Sequence, residues 1–172
     1  MSTKADYSVE EWKAIAGAPV AAGLLMTLSD VSGPAGIAKE ALAVGNAIAH
    51  SASGDAPEIV KALAENVKSS GGRPVMPDVP TGNQTQTKTA LIGIIKTAVR
   101  AVETKSPGEV EGYKALLASV AAHAAQASKG GGFFGIGGTC VSADEQEALM
   151  QLADILAVSA AAPRYRLTRP GR

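Results

Sequence analysis

The sequence has few cysteines, few aromatic residues and no long hydrophobic run, and each shortage excludes a class of protein. Cys140 is the single cysteine in 172 residues, which excludes an intramolecular disulfide framework and a multi-thiolate zinc site, because both need several sulfur atoms. Aromatic residues make up only 3% of the chain, which leaves few stacking surfaces for single-stranded nucleic acid. The longest apolar stretch, residues 14–28, is interrupted by glycine and proline and is shorter than the roughly 20 residues that span a bilayer.

The sequence also has no excess of either charge. Lysine and arginine number 16, as do aspartate and glutamate, so no net field attracts nucleic acid to the surface as a whole. We therefore predict no nucleic-acid partner. The first residues turn polar and acidic after Lys4 and lack the apolar segment of a signal peptide. Together with the lone cysteine, this favours a protein of the cytoplasm.

What the chain does contain is a series of helical signals. Small and aliphatic residues recur at helical spacing and are separated by glycine, proline and capping residues. This pattern predicts an all-α, single-domain bundle of about six helices over residues 1–162, with two three-helix halves as one arrangement. Prolines and glycines predict a long loop at about 71–86, and the basic segment 163–172 is predicted to be a disordered tail.

Several local signals set the expected helix boundaries. The predicted helices cover about 8–29, 34–51, 57–69, 87–105 and 106–129, with a sixth that starts at Ser142. Ser8 and Glu11 have the spacing of a capping box, and residues 106–109 combine a cap, a proline and a glutamate at a helix start. Pro19 removes a backbone donor inside the first pattern, which predicts a kink or two shorter helices.

A glycine-rich segment between the last two helices has two interpretations. Gly130, Gly132 and Gly135 match the spacing of a dinucleotide-binding loop, but a helix precedes them and no alternation of strands and helices surrounds them. We therefore predict no nucleotide and no other cofactor. The bulky residues of the segment either pack on the core or form an exposed contact surface for a partner. These candidate contact residues are Phe133, Phe134 and Ile136.

The remaining reactive residues do not form a recognisable catalytic motif. His50 and His123 are the two histidines, and neither has a second histidine or a carboxylate at the spacing that a metal site on one helix uses. Cys140 and His123 would form a nucleophilic pair only if the fold brought them together. The acidic residues near helix starts are explained by the helix dipole, so the residues by themselves predict no metal and no catalytic group.

Two motifs carry a family resemblance. One is W-x-x-I-x-x-A-P at residues 12–19, and the other is K-G-G-G-F-F-G-I-G-G-x-x-V-S-x-x-E at residues 129–145. In these motifs the chain resembles a small family of uncharacterised bacterial proteins. The resemblance covers most of the chain and implies an all-helical fold, but it brings no established activity.

A second, more distant resemblance involves an acidic turn between two helices. Asp30, Gly33 and Glu40 are similar to the turn of the helical tellurite-resistance domains, in which the acidic residue and the glycine tend to be adjacent. Here two residues separate Asp30 from Gly33. The resemblance implies a metal-responsive stress module, with Asp30 and Glu40 as candidate ligands.

These observations together predict a non-enzymatic protein that acts through protein contacts, either by self-association or as an accessory subunit of a larger assembly. Alanine-rich helix faces would allow close approach of a second copy. They centre on Gly17, Ala21, Ala118, Ala121 and Ala125. One alternative is a stress module of the tellurite-resistance type that contacts a membrane surface or responds to a metal. Another is an enzyme that uses Cys140 and His123.

Overall fold

The described part of the chain is helical throughout its regular structure. The computed structural model describes residues 3–27, 33–80, 82–128 and 143–156, and these ranges contain six α-helices and no β-strand. The helices are α1 (Val9–Thr27), α2 (Gly33–Ser51), α3 (Glu58–Ser69), α4 (Gln84–Lys105), α5 (Val110–Ser128) and α6 (Ala143–Leu156). The all-α prediction is confirmed. None of these helices combines the length and hydropathy needed to cross a membrane.

Most predicted boundaries differ from the observed ones by only a few residues. The capping box before α1 forms as expected: the Ser8 amide donates to Glu11 Oε2 at 2.7 Å, and the Glu11 amide donates to Ser8 Oγ at 3.2 Å. Among the first four helices, the start of α4 differs most from its prediction: the helix begins at Gln84, before the predicted residue 87. There the Gln86 amide donates to the side chain of Asn83 at 3.1 Å, so the polar run after the loop is helical.

Helix α1 forms the centre of the bundle. From Ile15 to Thr27 every residue except Leu24 is buried, so this helix has no polar face along most of its length. It packs mainly against α4 and α5 and less extensively against α2 and α6. The first helix therefore groups with helices from the second half of the chain, and all six helices contribute to one hydrophobic core.

Pro19 lies inside α1 without dividing it into two helices. Because proline has no amide hydrogen, the carbonyl of Ile15 lacks its usual donor four residues later. The hydroxyl of Tyr113, on α5, donates to that carbonyl at 2.9 Å. Tyr113 is fully buried, and burial, followed by the nearby Tyr7, raises the pKa of its hydroxyl well above the ordinary value, so that the donor keeps its proton.

The predicted start signal at residues 106–109 works differently from expectation. The Ser106 hydroxyl shares a 2.7 Å hydrogen bond with the hydroxyl of Tyr7. The Glu109 carboxylate accepts a 2.7 Å hydrogen bond from the backbone amide of Ile59, in the first turn of α3. The glutamate thus caps a helix that begins about 50 residues earlier in the chain, because the fold places an uncapped helix start beside it.

The loop after α3 is packed against helices. Gly71 and Gly72 adopt positive φ angles, and the Gly72 amide donates to the Val67 carbonyl at 2.9 Å, which ends α3 as predicted. Residues 73–80, which have no regular secondary structure, follow. The loop approaches α2 at Gly45, where an added Cβ would lie 3.0 Å from the Gly72 carbonyl oxygen. It also passes over α1 beside Gly17.

One close contact gives a testable prediction about packing. A Cβ on Gly112 would clash with Cγ of Pro57, so Gly112→Ala should destabilise the fold by about 1–3 kcal/mol. Gly93 is the matched control, because it lies inside α4 with no atom within 4 Å of an added Cβ. Gly93→Ala should stabilise by about 0.5–1 kcal/mol. Urea denaturation would measure both, and equal effects would contradict the contact.

A second prediction concerns the hydrogen bond to α1. Tyr113→Phe should reduce the free energy of unfolding by about 1–3 kcal/mol, because it leaves the buried Ile15 carbonyl without a donor. In a Pro19→Ala background the restored amide can donate to Ile15, so the same tyrosine substitution should cost less. Chemical denaturation of the four proteins in this double-mutant cycle measures the difference. Strict additivity would show that the proline and the tyrosine are not linked.

Candidate functional site

Most of the sequence-predicted site residues lie outside the part of the chain that the structure describes. They are Asp30, Phe133, Phe134, Ile136 and Cys140. Glu40 belongs to α2, but its side chain is also outside the described set. The contact surface, the acidic metal site and the nucleophilic pair therefore stay predictions. So does the tail at 163–172.

The two histidines are exposed on different helices. His50 lies on α2 and His123 on α5, and neither is buried in a polar cluster. Across the described ranges, no group of three or more histidine, cysteine, aspartate or glutamate side chains is arranged to hold a metal ion.

The alanine-rich positions that were predicted to allow close association are mainly part of the core. Gly17, Ala21, Ala121 and Ala125 are buried, while Ala118 is half-buried. Their small size serves helix packing within one molecule: an added Cβ on the nearby Gly23 would lie 3.3 Å from Val44 Cγ2. Four of the five positions are therefore unavailable to a second copy, and the expectation is corrected for these four.

A different set of residues, without lysine, arginine, aspartate or glutamate, lies at the surface, and we call it the uncharged face. It consists of exposed or half-buried side chains on two neighbouring helices, α2 and α5. On α2 they are Leu42, Ala43, Asn46, Ala49 and His50, and on α5 they are Ala115, Ala118, Ser119, Ala122 and His123. Residues 42–51 and 115–125 contain no lysine, arginine, aspartate or glutamate. This distinguishes the face from the lysine- and glutamate-bearing surfaces of α3 and α4.

The positions of the uncharged face follow from helical geometry. On α2 the exposed positions repeat at spacings of three and four residues, which places them on one side of the helix. The opposite side contributes Val44 and Ile48 to the core. Helix α5 is arranged in the same way, with Leu117 and Val120 buried. Leu42 is 58% exposed and is the largest apolar side chain of the face.

A second feature is a groove beside Trp12, which we call the Trp12 groove. It has a volume of about 510 Å³ and lies between the N-terminal segment, α1 and α3. Thr3 and Lys4 line one wall, and α3 forms the other. Trp12 is 6% exposed, and its indole Nε1 is buried without a hydrogen-bond partner among the described residues. A buried donor without an acceptor is rare in folded proteins, which makes the groove a candidate binding site.

The charges around the Trp12 groove are mixed. Lys61 pairs with Glu58 along α3 at 3.1 Å. Glu65 and Lys4 also line the groove, and neither has an ion-pair partner among the described residues. The groove is therefore lined by a carboxylate and an ammonium group that have no ion-pair partner among the described residues, and by the aromatic ring of Trp12.

The N-terminal wall of the groove is attached to the end of α4. Lys105 Nζ donates to the Asp6 carbonyl oxygen at 3.1 Å and pairs with Glu11 Oε2 at 2.6 Å. The ring of Tyr7 lies 6.2 Å from that of Trp12, measured between centroids, and is tilted by 40° relative to it. The Lys105 ammonium lowers the pKa of Glu11, with a further contribution from the Ser8 amide. Hydrogen bonds from Thr3 lower the pKa of Asp6.

Comparison with protein-family models, curated proteins and solved structures found no match for this chain. The arrangement of residues is therefore the basis for function. The W-x-x-I-x-x-A-P motif includes Trp12, but the sequence did not predict the groove. No sequence signal identified an indole N–H without an acceptor, because the partner of a buried donor depends on the tertiary fold.

The attachment of the N-terminal wall should depend on pH. Asp6 and Glu11 have lowered pKa values in the folded protein, so their contribution is present above their unfolded pKa values and is lost as the pH falls through the folded ones. Below about pH 4, Trp12 fluorescence should change before global unfolding. Glu11→Gln should show part of this change at neutral pH. If Trp12 emission and far-UV circular dichroism change together in both proteins, the wall does not open separately.

Proposed function

We propose that this protein acts without catalysis, through protein contacts, and that its first partner is a second copy of itself bound through the uncharged face. The observation that carries the proposal is the absence of charged residues from two neighbouring helix segments, 42–51 and 115–125, in a chain of which 19% is charged. Both segments expose part of their surface to solvent in the single chain.

The chemistry of the face supports association. Burying a charged side chain in an interface requires a partner for it, whereas small uncharged side chains avoid this desolvation penalty. Alanine and serine on α5 let a facing helix approach closely, and Leu42 supplies apolar area. The formal net charge of the whole chain is zero, so two copies do not repel each other at long range.

A two-fold symmetric dimer is the simplest assembly that such a face forms. In it the same surface patch contributes from both copies, and each contact occurs twice. The sequence-predicted contact residues Phe133, Phe134 and Ile136 supply a second contact segment, either to the same partner or to a different subunit. Their bulky apolar side chains, between glycines, suit insertion into a partner surface.

The experiment that tests the proposal is measurement of the native mass by light scattering. The wild type should be at least a dimer, and Ala115→Glu/Ala122→Glu should be monomeric, because these residues are exposed two turns apart on the face of α5. A matched control is Thr89→Glu/Thr97→Glu on α4. Both threonines are exposed and bond only to carbonyls of their own helix, so this variant should keep the wild-type mass.

Circular dichroism of each variant confirms that it is folded before its mass is compared. A monomeric wild type, or a control that dissociates as readily as the α5 variant, would contradict the proposal. Phe133→Ser/Phe134→Ser provides a further comparison. If it alone dissolves the oligomer, the segment around residue 133 is the contact surface and the assignment to the uncharged face is wrong.

A further inference from the structure

The Trp12 groove plays no part in the proposed dimer and calls for its own explanation. Trp12, one of the residues that line it, carries the one buried side-chain polar atom in the described part of the chain that has no hydrogen-bond partner, the indole Nε1. Main-chain or side-chain oxygen atoms are the usual acceptors for such a donor. Because no described residue supplies one, the acceptor comes from elsewhere.

The distribution of charge in the sequence points to a source. Four of the 16 basic residues, Arg164, Arg166, Arg169 and Arg172, follow residue 162, and no aspartate or glutamate lies beyond Asp154. Residues 1–156 therefore contain four more acidic than basic residues, although the whole chain is neutral. The helical part and the last segment of the sequence have opposite charges, which favours contact between them.

The segment after α6 has enough length to reach the groove. Glu147 pairs with Lys88 at 3.5 Å, and Ile155 shares a cavity with Lys96, so α6 runs parallel to α4. The end of α6 therefore lies beside Lys96, which is nine residues before Lys105, or roughly 14 Å away along α4. Lys105 contacts the wall of the groove at Asp6. Sixteen residues follow Leu156, and they can extend for roughly 50 Å.

We propose that the Trp12 groove binds the arginine-bearing segment 163–172 of the same chain. A main-chain carbonyl of the segment accepts the Trp12 indole N–H, and an arginine pairs with the free carboxylate of Glu65. Glu58 is a second acceptor at the edge of the same groove. An open groove of this kind suits an extended segment that passes through it, since a peptide places a carbonyl or a side chain at each successive residue.

The single tryptophan makes the proposal directly measurable in the full chain. A ¹⁵N-labelled sample gives one indole N–H resonance, which reports the acceptor at Trp12 Nε1. The tail variant replaces the four arginines with serine. We expect its indole resonance to shift, and its N–H to exchange with solvent several-fold faster than in the wild type. Added salt should move the wild-type resonance in the same direction, because salt screens the ion pair.

Variants of the groove separate specific docking from a general effect of charge. Glu65→Lys should reproduce the tail variant. Asp154→Lys makes the same change in charge on an exposed residue of α6, outside the groove, and should leave the resonance unchanged. Combining Glu65→Arg with glutamate at the four arginine positions should restore the wild-type resonance, because it exchanges the two charges.

Two results would overturn the proposal. An indole resonance that is identical in the wild type and the tail variant would show that segment 163–172 does not occupy the groove. A resonance that depends on protein concentration would assign the bound segment to a second copy of the chain and exclude binding within one molecule. A misfolded Glu65→Lys protein would not affect the test, because the tail variant and the charge exchange provide independent readouts.

Discussion

The hydrogen bond between the Tyr113 hydroxyl and the Ile15 carbonyl joins α5 to α1, the helix at the centre of the bundle. Helix α1 is buried along most of its length. A backbone group there that loses its helical hydrogen bond therefore cannot bond to water instead. Pro19 creates one such group, and the Tyr113 hydroxyl satisfies it at 2.9 Å. A fixed polar contact in an otherwise apolar interface sets the position of α5 along α1, because sliding either helix would break it.

Several other contacts between distant parts of the chain lie near this hydrogen bond. Glu109 caps α3, Gly112 allows Pro57 to approach α5, and Tyr7 bonds to Ser106. The N-terminal segment is thereby held across the end of α4, where it forms one wall of the Trp12 groove. The groove therefore results from the packing of these elements against one another. The contacts that stabilise the fold also determine the shape of the groove.

The surface of the bundle divides into regions of different chemistry. The uncharged face on α2 and α5 has small side chains without charge, which suits a flat contact with another protein. The groove combines an aromatic ring with free charges of both signs, which suits an extended segment. The neutral total charge conceals this division, because the acidic excess of residues 1–156 is balanced by arginines in the last segment.

The sequence by itself determined the all-α class, the approximate helix boundaries and the position of the proline-containing loop after α3. Capping residues, glycine, proline and helical spacing indicate these features because they act locally. Only the tertiary structure decided that Glu109 caps α3, that Ala121 and Ala125 face the core, and that Trp12 Nε1 has no acceptor. These properties depend on which elements lie side by side, and contacts between residues far apart in the chain leave no periodic signal in the sequence.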